Sequence, residues 1–175
     1  LKGLADDGGL FMPDKIPSLD RPLREFASMS YQETAYEVMK LFLTDFTEEE
    51  LKNCIDKAYD SKFDTEEIAP LVKVDDTYYM ELFHGATIAF KDMALSILPH
   101  LMTTSAKKND VKNEIVILTA TSGDTGGRTC RLCGCGRNED HRILSKEWCQ
   151  QGTGTPDGDT ERRECKRSSD PWQFR

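Results

Sequence analysis

Two stretches of this chain combine residue types that can do covalent or anion-binding chemistry. The first is Phe83-His84-Gly85-Ala86-Thr87-Ile88-Ala89-Phe90-Lys91-Asp92. A lysine set beside Phe90 and an apolar helix start loses solvation, which lowers its pKa and frees its amine for Schiff-base chemistry. The same spacing also suits a lysine at a helix end whose stem lies along apolar surface while its ammonium reaches water. The second stretch is Thr121-Ser122-Gly123-Asp124-Thr125-Gly126. Its glycines permit close backbone approach, and its hydroxyl and amide groups can hold a carboxylate or phosphate. A plain strand-to-helix turn has the same composition. A third candidate is Cys130, Cys133 and Cys135 with His141. The first two have zinc-ligand spacing, but Cys149 and Cys165 are single and scattered where a structural site has a second close pair.

The elements around these residues follow from periodicity. Asp7-Gly8-Gly9 marks a turn between two short extended pieces ending at Pro13. Ser30 with Glu33, and Thr47 with Glu50, each have capping-box spacing ahead of an apolar stripe. The stripes are Ala35, Val38, Met39, Phe42 and Leu43, then Leu51, Cys54, Ile55 and Ala58. They predict a packed helical pair joined through Asp45-Phe46, with Cys54 a small buried hydrophobe. After Pro70 the period shortens: 71–74 and 78–83 read as strands around Asp75-Asp76. A helix from Phe90 to about Lys107 contains Pro99, which should kink or interrupt it. Residues 114–120 form an almost continuous apolar, β-branched run, the mark of a strand buried in a parallel sheet. The Thr121–Gly126 loop therefore lies at the carboxyl end of a strand, where open α/β sheets bind ligands.

With these residues set out, the first 126 resemble the amino-terminal part of the threonine synthase family. The likeness rests on Gly3–Pro13, Met29–Ala69, His84–Ala94 and Ala120–Gly126. It implies an α/β fold: an amino-terminal helical and strand domain (1–80), then the start of a fold-type-II, tryptophan-synthase-like domain (81–126) that uses pyridoxal 5'-phosphate. Lys91 would form the Schiff base with the cofactor. Thr121, Ser122, Gly123 and Thr125 would bind the substrate carboxylate, with Asp124 near the cofactor hydroxyl. The implied reaction converts O-phospho-L-homoserine and water to L-threonine and phosphate, in the cytoplasm, with Lys91 moving protons. The family has proline where this chain has Ala86, which loosens the turn and keeps the lysine in register.

Composition breaks at the same boundary. The whole chain has 175 residues, a formal net charge of −8, 31% charged and 38% hydrophobic residues, which reads as soluble and globular. That charge disfavours a nucleic-acid or anionic-membrane partner, since both attract basic surfaces. No run approaches the ~18 apolar residues of a membrane span, and a start at Leu1 reads as a piece of something longer. Residues 1–126 carry two arginines and one cysteine, whereas 127–175 carry eight and five, with no alanine, valine or methionine. Such a segment is expected to be irregular and disordered. The genetic code offers a reason. Codons for 140–151 read one nucleotide later permit IIVFYPKNGVSK, those for 127–135 permit AALAGFADV, and those for 156–166 permit QMVTQKGENVK. Residues 127–175 thus read as an out-of-frame tail, which would leave strand 114–120 without parallel neighbours and the enzyme inactive. The alternative is a non-catalytic helical interaction module whose cysteine-rich tail holds zinc.

Overall fold

The computed structural model describes residues 4–113, 115–121 and 143–149. Its elements run α1 (Leu23–Phe26), α2 (Tyr31–Met39), α3 (Glu48–Ala58), β1 (Leu71–Val74), β2 (Thr77–Met80), α4 (Asp92–Leu95), α5 (Leu98–Lys108), β3 (Ile115–Thr121) and β4 (Ile143–Cys149).

Both expected capping boxes form. The Ser30 hydroxyl accepts from the Glu33 amide while the Glu33 carboxylate accepts from the Ser30 amide, and Thr47 with Glu50 repeats the arrangement. Each box satisfies two of the amide groups that a helix start leaves unpaired. The α3 stripe is the centre of the core: Leu51, Cys54, Ile55 and Ala58 are buried together with Tyr59, Phe63, Ile68 and Ile97. Along the predicted stripe, Ala35, Met39 and Leu43 pack against this cluster, while Val38 and, beyond α2, Phe42 remain exposed, so the stripe is narrower than its sequence suggests. Cys54 is 1% exposed, its sulfur 3.4 Å from the Thr104 hydroxyl, and burial pushes its thiol pKa up. It is a packing residue, as its place on the stripe predicts.

Ile68 is the least ordinary member of the core. It is 2% exposed yet takes a φ of 61°, a left-handed conformation that a β-branched side chain rarely adopts. Near the amino terminus, the Ala5–Gly9 turn closes on two backbone hydrogen bonds, with Gly8 at φ 83°. The flanking pieces expected to be extended pair with nothing that forms a strand among the described residues.

The β1–β2 pair is a tight antiparallel hairpin, Val74 opposite Thr77, with Asp75 at φ 53° in the turn. The long helix expected from Phe90 divides into α4 and α5. A proline ring collides with the carbonyl four residues earlier, which for Pro99 is that of Leu95, the last residue of α4. Pro99 itself lies in the first turn of α5, where its missing N–H costs nothing.

The expectation that strand 114–120 lacks a parallel neighbour is overturned: residues 143–149 form β4, and Ile115 pairs with Ile143 and Thr121 with Cys149. A parallel pairing needs a crossover of about a dozen residues or more, and 122–142 supply that length. The mixed Ile-Leu-Ser-Lys-Glu-Trp-Cys run carries no strand period of its own. Backbone pairing to the apolar β3 run makes it a strand. Among the described residues no helix is long and apolar enough to cross a membrane.

Candidate functional site

Lys91 stands at the head of α4, in helical conformation with φ −64° and ψ −20°. It lines a groove of about 580 Å³ with Tyr31, Ala69, Met80, Leu82, Phe90, Met93 and Ala94. The lysine is half-buried, with its amine 5.8 Å from the centre of the exposed Phe90 ring. A lysine lining an apolar slot, beside aromatic faces, has the surroundings that a planar electrophile would occupy.

Three contacts fix the backbone that carries it. Tyr59, at the end of α3, donates its hydroxyl to the Met93 carbonyl at 2.8 Å, tying α4 to the core. Tyr31 stacks edge-on against Tyr59 with ring centres 4.8 Å apart, so one wall of the groove is part of the same aromatic pair. Burial raises the pKa of both phenols, so Tyr59 stays a protonated donor at ordinary pH. The third contact is Asp92, which is fully buried. Its carboxylate accepts from the Thr87 amide at 2.7 Å and from the Thr87 hydroxyl. Between these partners the chain turns: the Ile88 amide donates to the Gly85 carbonyl at 3.0 Å, and Ile88 takes φ 58°.

His84 leads into that turn and is held from both sides. Its Nδ1 lies 2.5 Å from Asp64 Oδ1 and its Nε2 lies 2.9 Å from Glu81 Oε2, while its carbonyl accepts from the Asp64 amide. Glu81 first, and then Asp64, raise the imidazole pKa above its usual 6.5. A raised folded value means stability that is complete below about pH 6.5 and fades as the pH climbs through the folded value. Unfolding by urea at a series of pH values is therefore expected to show a decline above that point. His84→Gln should flatten this decline, and an unchanged slope in the variant would show that His84 is not its source.

Of the residues read from sequence as a site, the structure places Lys91 fully and Thr121 by its backbone, as the last residue of β3. Ser122, Gly123, Asp124 and Thr125 lie outside the described residues, as do Cys130, Cys133, Cys135 and His141 of the zinc alternative. Asp92 and Thr87 were missed as a pair. The available signal was a carboxylate at a helix start, five residues after a hydroxyl and seven after a glycine, within one short motif.

Comparison with known proteins addresses the same region. A family model described as the threonine synthase N terminus matches residues 1–59. The chain resembles the amino-terminal part of threonine synthase. Threonine synthase of Eremothecium gossypii is 39% identical over 141 residues, covering 72% of this chain and 27% of that protein. Two solved structures match with 32% identity over 83% of this chain and 31% of theirs. One is a PLP-bound threonine synthase from Brucella melitensis, with a TM-score of 0.72, and the other is the yeast threonine synthase, at 0.69. The mixed helix and strand architecture is thus that of the amino-terminal part of threonine synthases. The chain spans about a quarter of the length of the curated relatives it matches, 27% in the first case.

Proposed function

We propose that this chain carries the lysine-bearing part of a pyridoxal-phosphate-dependent threonine synthase, with Lys91 the amine that holds the cofactor. One observation carries the reading: Lys91 is the half-buried amine of an apolar, partly aromatic groove in a threonine-synthase-like fold. The residues suit the group. Tyr31, Met80, Leu82 and Phe90 offer apolar walls for a planar ring, and Lys91 lines the same groove. When bound, pyridoxal phosphate supplies an electron sink for carbanion chemistry at the substrate.

The chain's own residues do the rest. The Lys91 amine binds the cofactor and moves protons as general acid and base. The end of β3 and the loop after it would hold the substrate carboxylate through Thr121, Ser122, Gly123 and Thr125, with Asp124 serving the cofactor hydroxyl. The substrate is O-phospho-L-homoserine, the products are L-threonine and phosphate, and the compartment is the cytoplasm. Residues 1–80 are the amino-terminal domain and 81–126 begin the cofactor domain.

Residues 127–175 are an out-of-frame reading, and the chain as it stands does not turn over. Support comes from the loss of alanine, valine and methionine after Gly126. Two measurements test this. Reductive trapping with pyridoxal phosphate and borohydride is expected to label Lys91 above the other lysines, and Lys91→Ala removes that peptide. Label spread evenly over the lysines would overturn the assignment. Steady phosphate release from O-phospho-L-homoserine by the 175-residue chain, abolished by Lys91→Ala, would overturn the inactivity.

A further inference from the structure

We propose that Asp92 is a positioning residue for the Lys91 amine, acting through Thr87. The inference rests on the reading of Lys91 as the cofactor-binding amine, and it names what holds that amine in place.

Asp92 is the most deeply buried charged side chain among the described residues, at 0% exposure. A carboxylate taken out of water carries a large desolvation cost and persists only where donors meet it. Here two donors do, and both belong to Thr87: the amide at 2.7 Å and the hydroxyl. One carboxylate therefore closes the segment from 87 to 92 into a ring that contains Lys91. Backbone hydrogen bonds complete it on either side. The Asp92 amide donates to the Ala89 carbonyl at 2.9 Å, and the Lys91 carbonyl accepts from Ala94 and Leu95. Gly85 lies over the carboxylate so closely that any side chain there would strike it.

Asp92 anchors the loop in front of the lysine, while Tyr59 separately anchors α4 behind it through Met93. The two restraints bracket residue 91. Charge-assisted hydrogen bonds are short and directional, which suits them to fixing a backbone segment more than to adding bulk stability.

The test uses the whole chain, with pyridoxal phosphate and borohydride as the trap and mass spectrometry to map modified lysines. Iodoacetamide labelling of the buried Cys54 reports in the same digest whether the core has opened. Asp92→Asn keeps the shape but loses an acceptor, Thr87→Val loses one donor, and Thr87→Ser restores it. In Asp92→Asn and Thr87→Val, Lys91 trapping is expected to fall about tenfold, as losing one charge-assisted bond allows. Cys54 stays protected, other lysines are unchanged, and Thr87→Ser recovers the trapping. Unchanged trapping in both variants, with the wild type labelled at Lys91, overturns the positioning role and leaves the Lys91 assignment standing. A wild type that does not favour Lys91 overturns both. If Thr87→Val exposes Cys54, the pair holds the core and the positioning role is also rejected.

Discussion

Replacing Leu51 by alanine is expected to lower the free energy of unfolding by about 2–5 kcal/mol. Leu51 is 1% exposed and stands on the inner face of α3, in the cluster that also holds Ile55, Ala58 and Ile97. Removing its branched end forfeits the transfer free energy of three carbons and leaves a cavity, because α2 and α5 flank α3 and limit collapse. Small domains hold only about 5–15 kcal/mol in reserve, so the change removes a large fraction of the total. Urea unfolding followed by circular dichroism measures it as a fall in midpoint at unchanged slope. Leu10, 74% exposed, is the control: Leu10→Ala should shift stability by no more than about 0.5 kcal/mol. Equal effects at both sites would mean that the α3 stripe is not the core.

The second large effect is expected at Gly85. A Cβ there would lie 2.5 Å from Asp92 Oδ2 and 2.6 Å from Asp92 Cβ, closer than any carbon contact allows. The obstacle is no flexible tip, because Asp92 is fully buried and held by Thr87. Gly85→Ala must either push the turn outward or break the Thr87–Asp92 pair. Overpacking costs about 1–3 kcal/mol, and leaving a buried polar group unsatisfied costs about the same. Ala86→Gly, one residue along and exposed, keeps the pair intact. A lower urea midpoint for Gly85→Ala, with reduced Lys91 trapping, is the expected result. Wild-type behaviour in both measurements would refute the close contact.

Much of this was legible in the residues themselves. The two capping boxes, the α3 stripe and the hairpin around Asp75-Asp76 are local devices, each encoded within about ten residues. Lys91 stood out because a lysine beside Phe90 at an apolar helix start is chemically conspicuous. The interruption of the helix at Pro99 was legible too, because its ring meets the carbonyl four residues back. Two features were not legible, and each depends on more than local residue types. β4 exists through pairing to β3, and nothing in its own period announces it. The Asp92–Thr87 pair is close in sequence, yet its importance lies in burial, which residue types alone do not reveal for a carboxylate at a helix start.

Ile68 gives position 68 an unusual mutational landscape. Its backbone, at φ 61°, favours glycine by roughly 1–2 kcal/mol, while its side chain, 2% exposed, fills space that only a large aliphatic group occupies. The two demands cannot be met by one residue. Glycine would relax the backbone and empty the core, a cavity worth about 2–5 kcal/mol for the side chain lost. Alanine would open much of the same cavity and still carry the strain. Valine and leucine keep the backbone cost and fit the space less well. Position 68 is thus a local optimum enclosed on every side, from which single substitutions lead only downhill. Any stabilising route through this residue has to change its neighbours at the same time.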